Sequence, residues 1–247
     1  MTHFGALCDD FYVNMMLSTE MDLATSRESL LHFFEQMRRR FPTMESFYCR
    51  HGDEYVLEED KDRGSYRWCS VEVRRISSGY VNPESVEAAI EQHRVILELV
   101  PYELTVTPLD CEALDLMFGF DYTYQGNHNE LVAEALGLPP AYESLLAMPG
   151  AKIVNYEPTL TLALDSDCRL QCRIAIETRT SAYHIRTEDY PEEQLSVYVT
   201  ARHYGSVPHS KSFLDVLGKL EEVCRNVLEG YVIEHVLRPL ARTIACK

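Results

Sequence analysis

From Leu114 to Tyr124 every second residue is large and apolar or aromatic: Leu114, Leu116, Phe118, Phe120, Tyr122 and Tyr124. Between them stand Asp115, Met117, Gly119, Asp121 and Thr123. Side chains two apart on a strand share a face, so this stretch is a strand with one face for a core and another of mixed polarity. The cluster "GNHNE" (126–130) closes it. Gly126-Asn127 signals a turn, Asn127 or Asn129 suits a helix cap, and Glu130 then falls in the first turn. Capping explains the whole cluster. A general acid–base role for His128 with Glu130 would need a cleft and a partner.

The same order occurs earlier in the chain. Phe11, Val13, Met15 and Leu17 alternate, and a helix starts near Ser26. Hairpin-like strands flank Gly52-Asp53 in the first half and Asp165-Ser166-Asp167 in the second. Ser70, Val71, Val73, Gly79 and Val81 align with Ser196, Val197, Val199, Gly205 and Val207 at a constant offset. Helical stripes follow both: Val86, Ala89, Ile90, His93, Leu97 and Val100, then Phe213, Val216, Leu217, Leu220, Cys224 and Val227. The expected fold class is α+β, with two related βαβββα halves spanning residues 1–104 and 105–247. Each half is expected to be an antiparallel sheet with helices on one face, the two forming one pseudo-twofold unit by internal duplication. The last helix is expected from Ser210 to about Val236, stopping at Pro239. Gly218 and Gly230 within it either admit a close neighbour or are tolerated surface positions.

Alternation assigns faces. Expected inward residues are Cys69, Val71 and Val73; Leu160, Leu162 and Leu164; Leu170, Cys172, Ile174 and Ile176; and Val197, Val199 and Ala201. The opposite face carries Tyr66, Trp68 and Ser70, then Arg173, then Tyr198, Thr200, Arg202 and Tyr204. Trp, Tyr and Arg are enriched at interaction hot spots, which makes Trp68, Tyr198, Arg202 and Tyr204 the expected binding surface. A solvated sheet face, or one packed on a second copy, fits the same pattern.

Charge restricts the partner. The chain has 23 basic and 39 acidic residues, a net charge of −16, and its field opposes nucleic acids and anionic membranes. The longest basic run, Arg38-Arg39-Arg40, closes a helix where cations suit the dipole. The first residues do not read as a signal peptide, and no run is long and apolar enough to span a bilayer. Eight irregularly spaced cysteines suggest reduced thiols and a cytoplasmic protein. The expected partner is a protein or a second copy, with a peptide or neutral small molecule also compatible.

Motifs of specific chemistry are few. Cys49 and His51 share a strand face, as do Cys168 and Cys172, but no Cys-x-x-Cys or His-Glu-x-x-His occurs. No metal or cofactor is expected. The loop "HYGSVPHSKS" (203–212) places His203, His209, Ser210 and Lys211 before a helix N-terminus, a possible anion or ligand loop. Ser210 as a simple cap is the preferred account of this loop. The leading expectation is a non-enzymatic binding module using its aromatic sheet face. The alternatives are a hydrolase centred on His51, His128, His203 or His209, and a small-ligand sensor with a pocket between helix and sheet.

Overall fold

The computed structural model describes residues 4–23, 26–50 and 53–247. In chain order the first elements are β1 (Asp10–Thr19), α1 (Arg27–Arg40), β2 (Ser46–Arg50), β3 (Glu54–Glu58), β4 (Tyr66–Val71), β5 (Arg75–Val81) and α2 (Val86–Glu103). Then come β6 (Cys111–Gln125), α3 (His128–Leu136), α4 (Pro140–Glu143), β7 (Thr159–Ala163), β8 (Leu170–Glu177), α5 (Ala182–Thr187) and β9 (Glu192–Tyr204). The chain ends with α6 (Phe213–Val227), a π-helical stretch over Leu228–Leu237 and α7 (Arg238–Ala245). The fold is α+β.

The strands form one nine-stranded sheet in the order β2-β3-β4-β5-β1-β6-β9-β8-β7, antiparallel throughout. The expectation of a separate sheet in each half is therefore corrected, because β1 and β6 pair directly and continue one ladder. Phe11 faces Phe120, Val13 faces Phe118, Met15 faces Leu116 and Leu17 faces Leu114 across that junction. All eight are buried. At roughly 1.5–3 kcal/mol for each large apolar side chain removed from water, this seam is a main source of stability. Helix α2 packs on β1 and β5, and α6 packs on β6 and β9.

Local signals explain the helices. Ser26 accepts from the Ser29 N–H ahead of α1, and Ser85 accepts from the Ala88 N–H ahead of α2. Asn127 caps α3 by accepting from the N–H groups of Asn129 and Glu130. Ser212 caps α6 in a reciprocal box with Asp215, so Ser210 is not its cap. Phe33, Phe34 and Met37 form the buried stripe of α1, with Arg38, Arg39 and Arg40 in its last turn.

Several further sequence expectations are corrected. The stretch 70–81 is two strands: the Glu72 N–H donates to the Arg75 carbonyl at 2.8 Å across a tight turn. Val73 therefore sits in that turn, 49% exposed. The turn also puts Ser70 and Val71 on β4, whereas their aligned residues Ser196 and Val197 lie on β9. Gly79 lies within β5, while Gly205 lies beyond β9 at φ 77. Leu160, Leu162 and Leu164 are exposed because β7 is the edge strand, beyond the strands that α6 covers. Pro239 does not stop the last helix. Following the π-helical stretch, it occupies the first turn of α7, where a missing N–H is tolerated. Gly218 and Gly230 face open space, which decides for tolerated surface positions over close approach.

Candidate functional site

Helices cover one face of the sheet, and the register of the strands lays out the other in rows. One row runs Trp68, Gly79, Asn14, Met117, Thr200, Arg173 and Thr161 across β4, β5, β1, β6, β9, β8 and β7. The next runs Ser77, Met16, Asp115, Arg202 and Gln171. A cavity of about 580 Å³ lies over these two rows, and Tyr204 closes one side.

Two glycines keep this face concave. A Cβ on Gly79 would lie 2.2 Å from Asn14 Oδ1 and 2.4 Å from Trp68 Nε1. A Cβ on Gly119 would lie 2.1 Å from the Tyr12 ring. The missing side chains let Trp68 and Tyr12 lie across the sheet. The Tyr12 hydroxyl donates to Asp121 at 3.1 Å, and burial raises the pKa of that carboxyl.

Charge is built into the floor. Arg202 donates through Nε and Nη2 to both oxygens of the buried Asp115, and through Nη1 to the Tyr204 hydroxyl at 2.8 Å. Its guanidinium also sits 5.1 Å from the Tyr204 ring centroid. The hydrogen bonding to the Asp115 carboxylate is the largest cause holding the Arg202 pKa above its usual value. This fork is two-pronged and fixes the orientation of Arg202. Asp115→Asn is expected to cost about 2 kcal/mol, because a half-buried cation loses its charged acceptor. Urea unfolding at neutral pH measures it. A change below about 0.5 kcal/mol would mean that the pair behaves as a solvated surface bridge.

Trp68, Arg202 and Tyr204 thus line one cavity. Tyr198 does not line it; it lies one row further along, beside Gly119, where it interacts with Tyr12 and Arg179. Sequence reading did not single out Asn14, Met16, Asp115, Met117 or Arg173. Alternation put Asp115 and Met117 on the non-core face, but nothing in the sequence paired β6 with β1. Two groups in the wall lack a protein partner, one buried and one exposed. Asn14 Oδ1 is buried without a hydrogen-bond partner. Among the described residues nothing pairs with the Arg173 guanidinium.

The second expected site is divided. His203 and Lys211 line a smaller hollow of about 270 Å³ between the β8–β9 end and α6, together with Asp165, Leu170 and Leu220. His209 and Ser210 are exposed and do not line it. Burial, then the charges of Arg169 and Lys211, lower the His203 pKa.

The remaining histidines and cysteines are dispersed. His128 is buried; its Nδ1 accepts from the Arg179 N–H at 3.3 Å and its Nε2 donates to the Tyr124 carbonyl at 3.1 Å. Both ring nitrogens are engaged, so the imidazole ties α3 to the loop after β8. His51 lies outside the described residues. Cys168 sits in the turn before β8 at φ 56, so it does not share a strand face with Cys172. Cys69, Cys111, Cys172 and Cys224 are buried, whereas Cys49, Cys168 and Cys246 are exposed. Among the described residues no group of three or more His, Cys, Asp or Glu side chains could hold a metal ion. No helix among them is long and apolar enough to cross a membrane.

No family model matches the chain, and no curated protein matches its sequence.

Proposed function

We propose that this chain is a non-enzymatic binding protein whose recognition surface is the helix-free face of the sheet. The observation that carries the reading is the 580 Å³ cavity on that face, lined by Trp68, Met16, Met117, Arg173, Arg202 and Tyr204. Its volume lies in the range of roughly 300–1,000 Å³ typical of ligand pockets. Among the described residues no histidine lines it, and its groups charged at neutral pH are a locked Arg–Asp pair and a free arginine, with the Tyr204 hydroxyl tied up by Arg202. That is equipment for recognition, not for proton transfer. A protein partner or a second copy would use the same face, since Trp, Tyr and Arg anchors suit a macromolecular surface as well.

Substituting Trp68→Ala together with Thr200→Glu tests the reading. Removing the ring and placing a charge in mid-floor should abolish self-association or partner capture, with the unfolding midpoint changed little. Association that survives the pair of changes would overturn the reading.

We also propose that the sheet arose by duplication of a βαβββα unit. Outward from the central pair, β1-β5-β4-β3 and β6-β9-β8-β7 follow the same order, which leaves β2 as an addition. A helix follows each central strand, and a sheet-covering helix follows each of β5 and β9.

A further inference from the structure

We infer that the cavity on the open face takes a mono-anionic amphiphile: a molecule with one carboxylate, held by Arg173, and an apolar body lying toward Trp68. This rests on the reading of that face as the recognition surface, and adds the chemistry of its occupant. The lining contains three side chains charged at neutral pH, Asp115, Arg173 and Arg202. Asp115 neutralises Arg202 through the two-pronged contact, so one positive charge remains, and it belongs to Arg173. In a chain of net charge −16 an arginine without a carboxylate partner, set in a cavity wall, is a specific attraction against the general field. Thr200 and Thr161 flank Arg173 directly across the ladder, and their hydroxyls add donors for the second carboxylate oxygen.

The rest of the lining is apolar and adaptable. Met16 and Met117 offer thioether surface, and Trp68 offers an aromatic plane. Arg173 and Trp68 lie five strands apart on one row, about 24 Å along a sheet whose strands are ~4.8 Å apart. An elongated molecule fits such a trough.

Trp68 is the single tryptophan, so its emission reports directly on occupancy. The experiment titrates the protein with dansyl-undecanoate and with its neutral carboxamide, two probes that differ only in the anionic group. The acid is expected to quench Trp68 and bind about tenfold or more tighter than the amide, as one charge-assisted contact implies. Arg173→Gln should weaken the acid far more than the amide and so remove that preference, with the unfolding midpoint unchanged, since Arg173 is exposed and has no partner to lose. Equal binding of both probes with quenching would overturn the anionic requirement while keeping the face as a binding surface. Preference for the acid that survives Arg173→Gln would overturn the inference too. If neither probe quenches Trp68 the inference fails, and the Trp68→Ala, Thr200→Glu pair separately decides whether the face binds a macromolecule.

Discussion

Lowering the pH from about 7 to about 4 is expected to destabilise the fold through His93. This residue is fully buried on α2; its Nδ1 lies 2.7 Å from the Ser78 hydroxyl and its Nε2 lies 3.3 Å from the Val13 carbonyl. A carbonyl can only accept, so Nε2 carries the proton and Nδ1 accepts from Ser78, which defines a neutral ring. Burial lowers the His93 pKa from 6.5 to about 3. The folded-state value is the depressed one, so the contribution is whole above about pH 6.5 and is lost as pH falls towards 3. Within that window the unfolded chain binds a proton that the folded chain refuses. Stability then falls by up to about 1.4 kcal/mol per pH unit from this group. His93→Gln does not titrate and keeps one donor and one acceptor. Urea midpoints of both proteins across this range should converge as pH falls. Parallel pH profiles would show that His93 is not the group responsible.

Filling the glycine gaps of the open face should have the next largest effect. In Gly119→Ala the new methyl would meet the Tyr12 ring at 2.1 Å, and Tyr12 is held by its bond to Asp121. Overpacking of this kind costs about 1–3 kcal/mol. In Gly79→Ala the methyl would displace Trp68, so its emission should shift and the cavity should lose its aromatic wall. Gly218→Ala is the contrast: it faces open space inside α6, and should stabilise by up to about 1 kcal/mol. Thermal unfolding of the three variants checks the ranking. Equal effects at all three positions would mean that the outer-face glycines are not required by the rings.

The core strands and helices were largely legible in the sequence, because period-two and period-3.6 patterns register burial directly. Phe11 to Leu17, Leu114 to Tyr122 and the stripe of α2 carry that signal, and Asn127 and Ser26 announced their caps. Pairing was not legible. Nothing local states that β1 lies beside β6, and that contact turns two expected sheets into one and brings Asn14 next to Met117. Edge effects were hidden for the same reason: Leu160 and Leu162 alternate like core residues, but burial depends on whether a helix reaches the strand above them. At the candidate site, residue types exposed Trp68, Arg202 and Tyr204 as anchors, whereas Asp115 gained its role only through Arg202 on the neighbouring strand. The glycines at 79 and 119 carried no site signal in the sequence, because the rings they accommodate belong to neighbouring strands.

Which face of the sheet meets another molecule can be measured by hydroxyl-radical footprinting of the free and the occupied or self-associated protein. Trp68, Met16, Met117 and Tyr204 report on the open face, and Tyr102 and Tyr231, both strongly exposed, report on the helical side. Protection confined to the first group is the predicted result. Protection of Tyr102 or Tyr231, with Trp68 as reactive as in the free protein, would contradict it and move recognition to the helices.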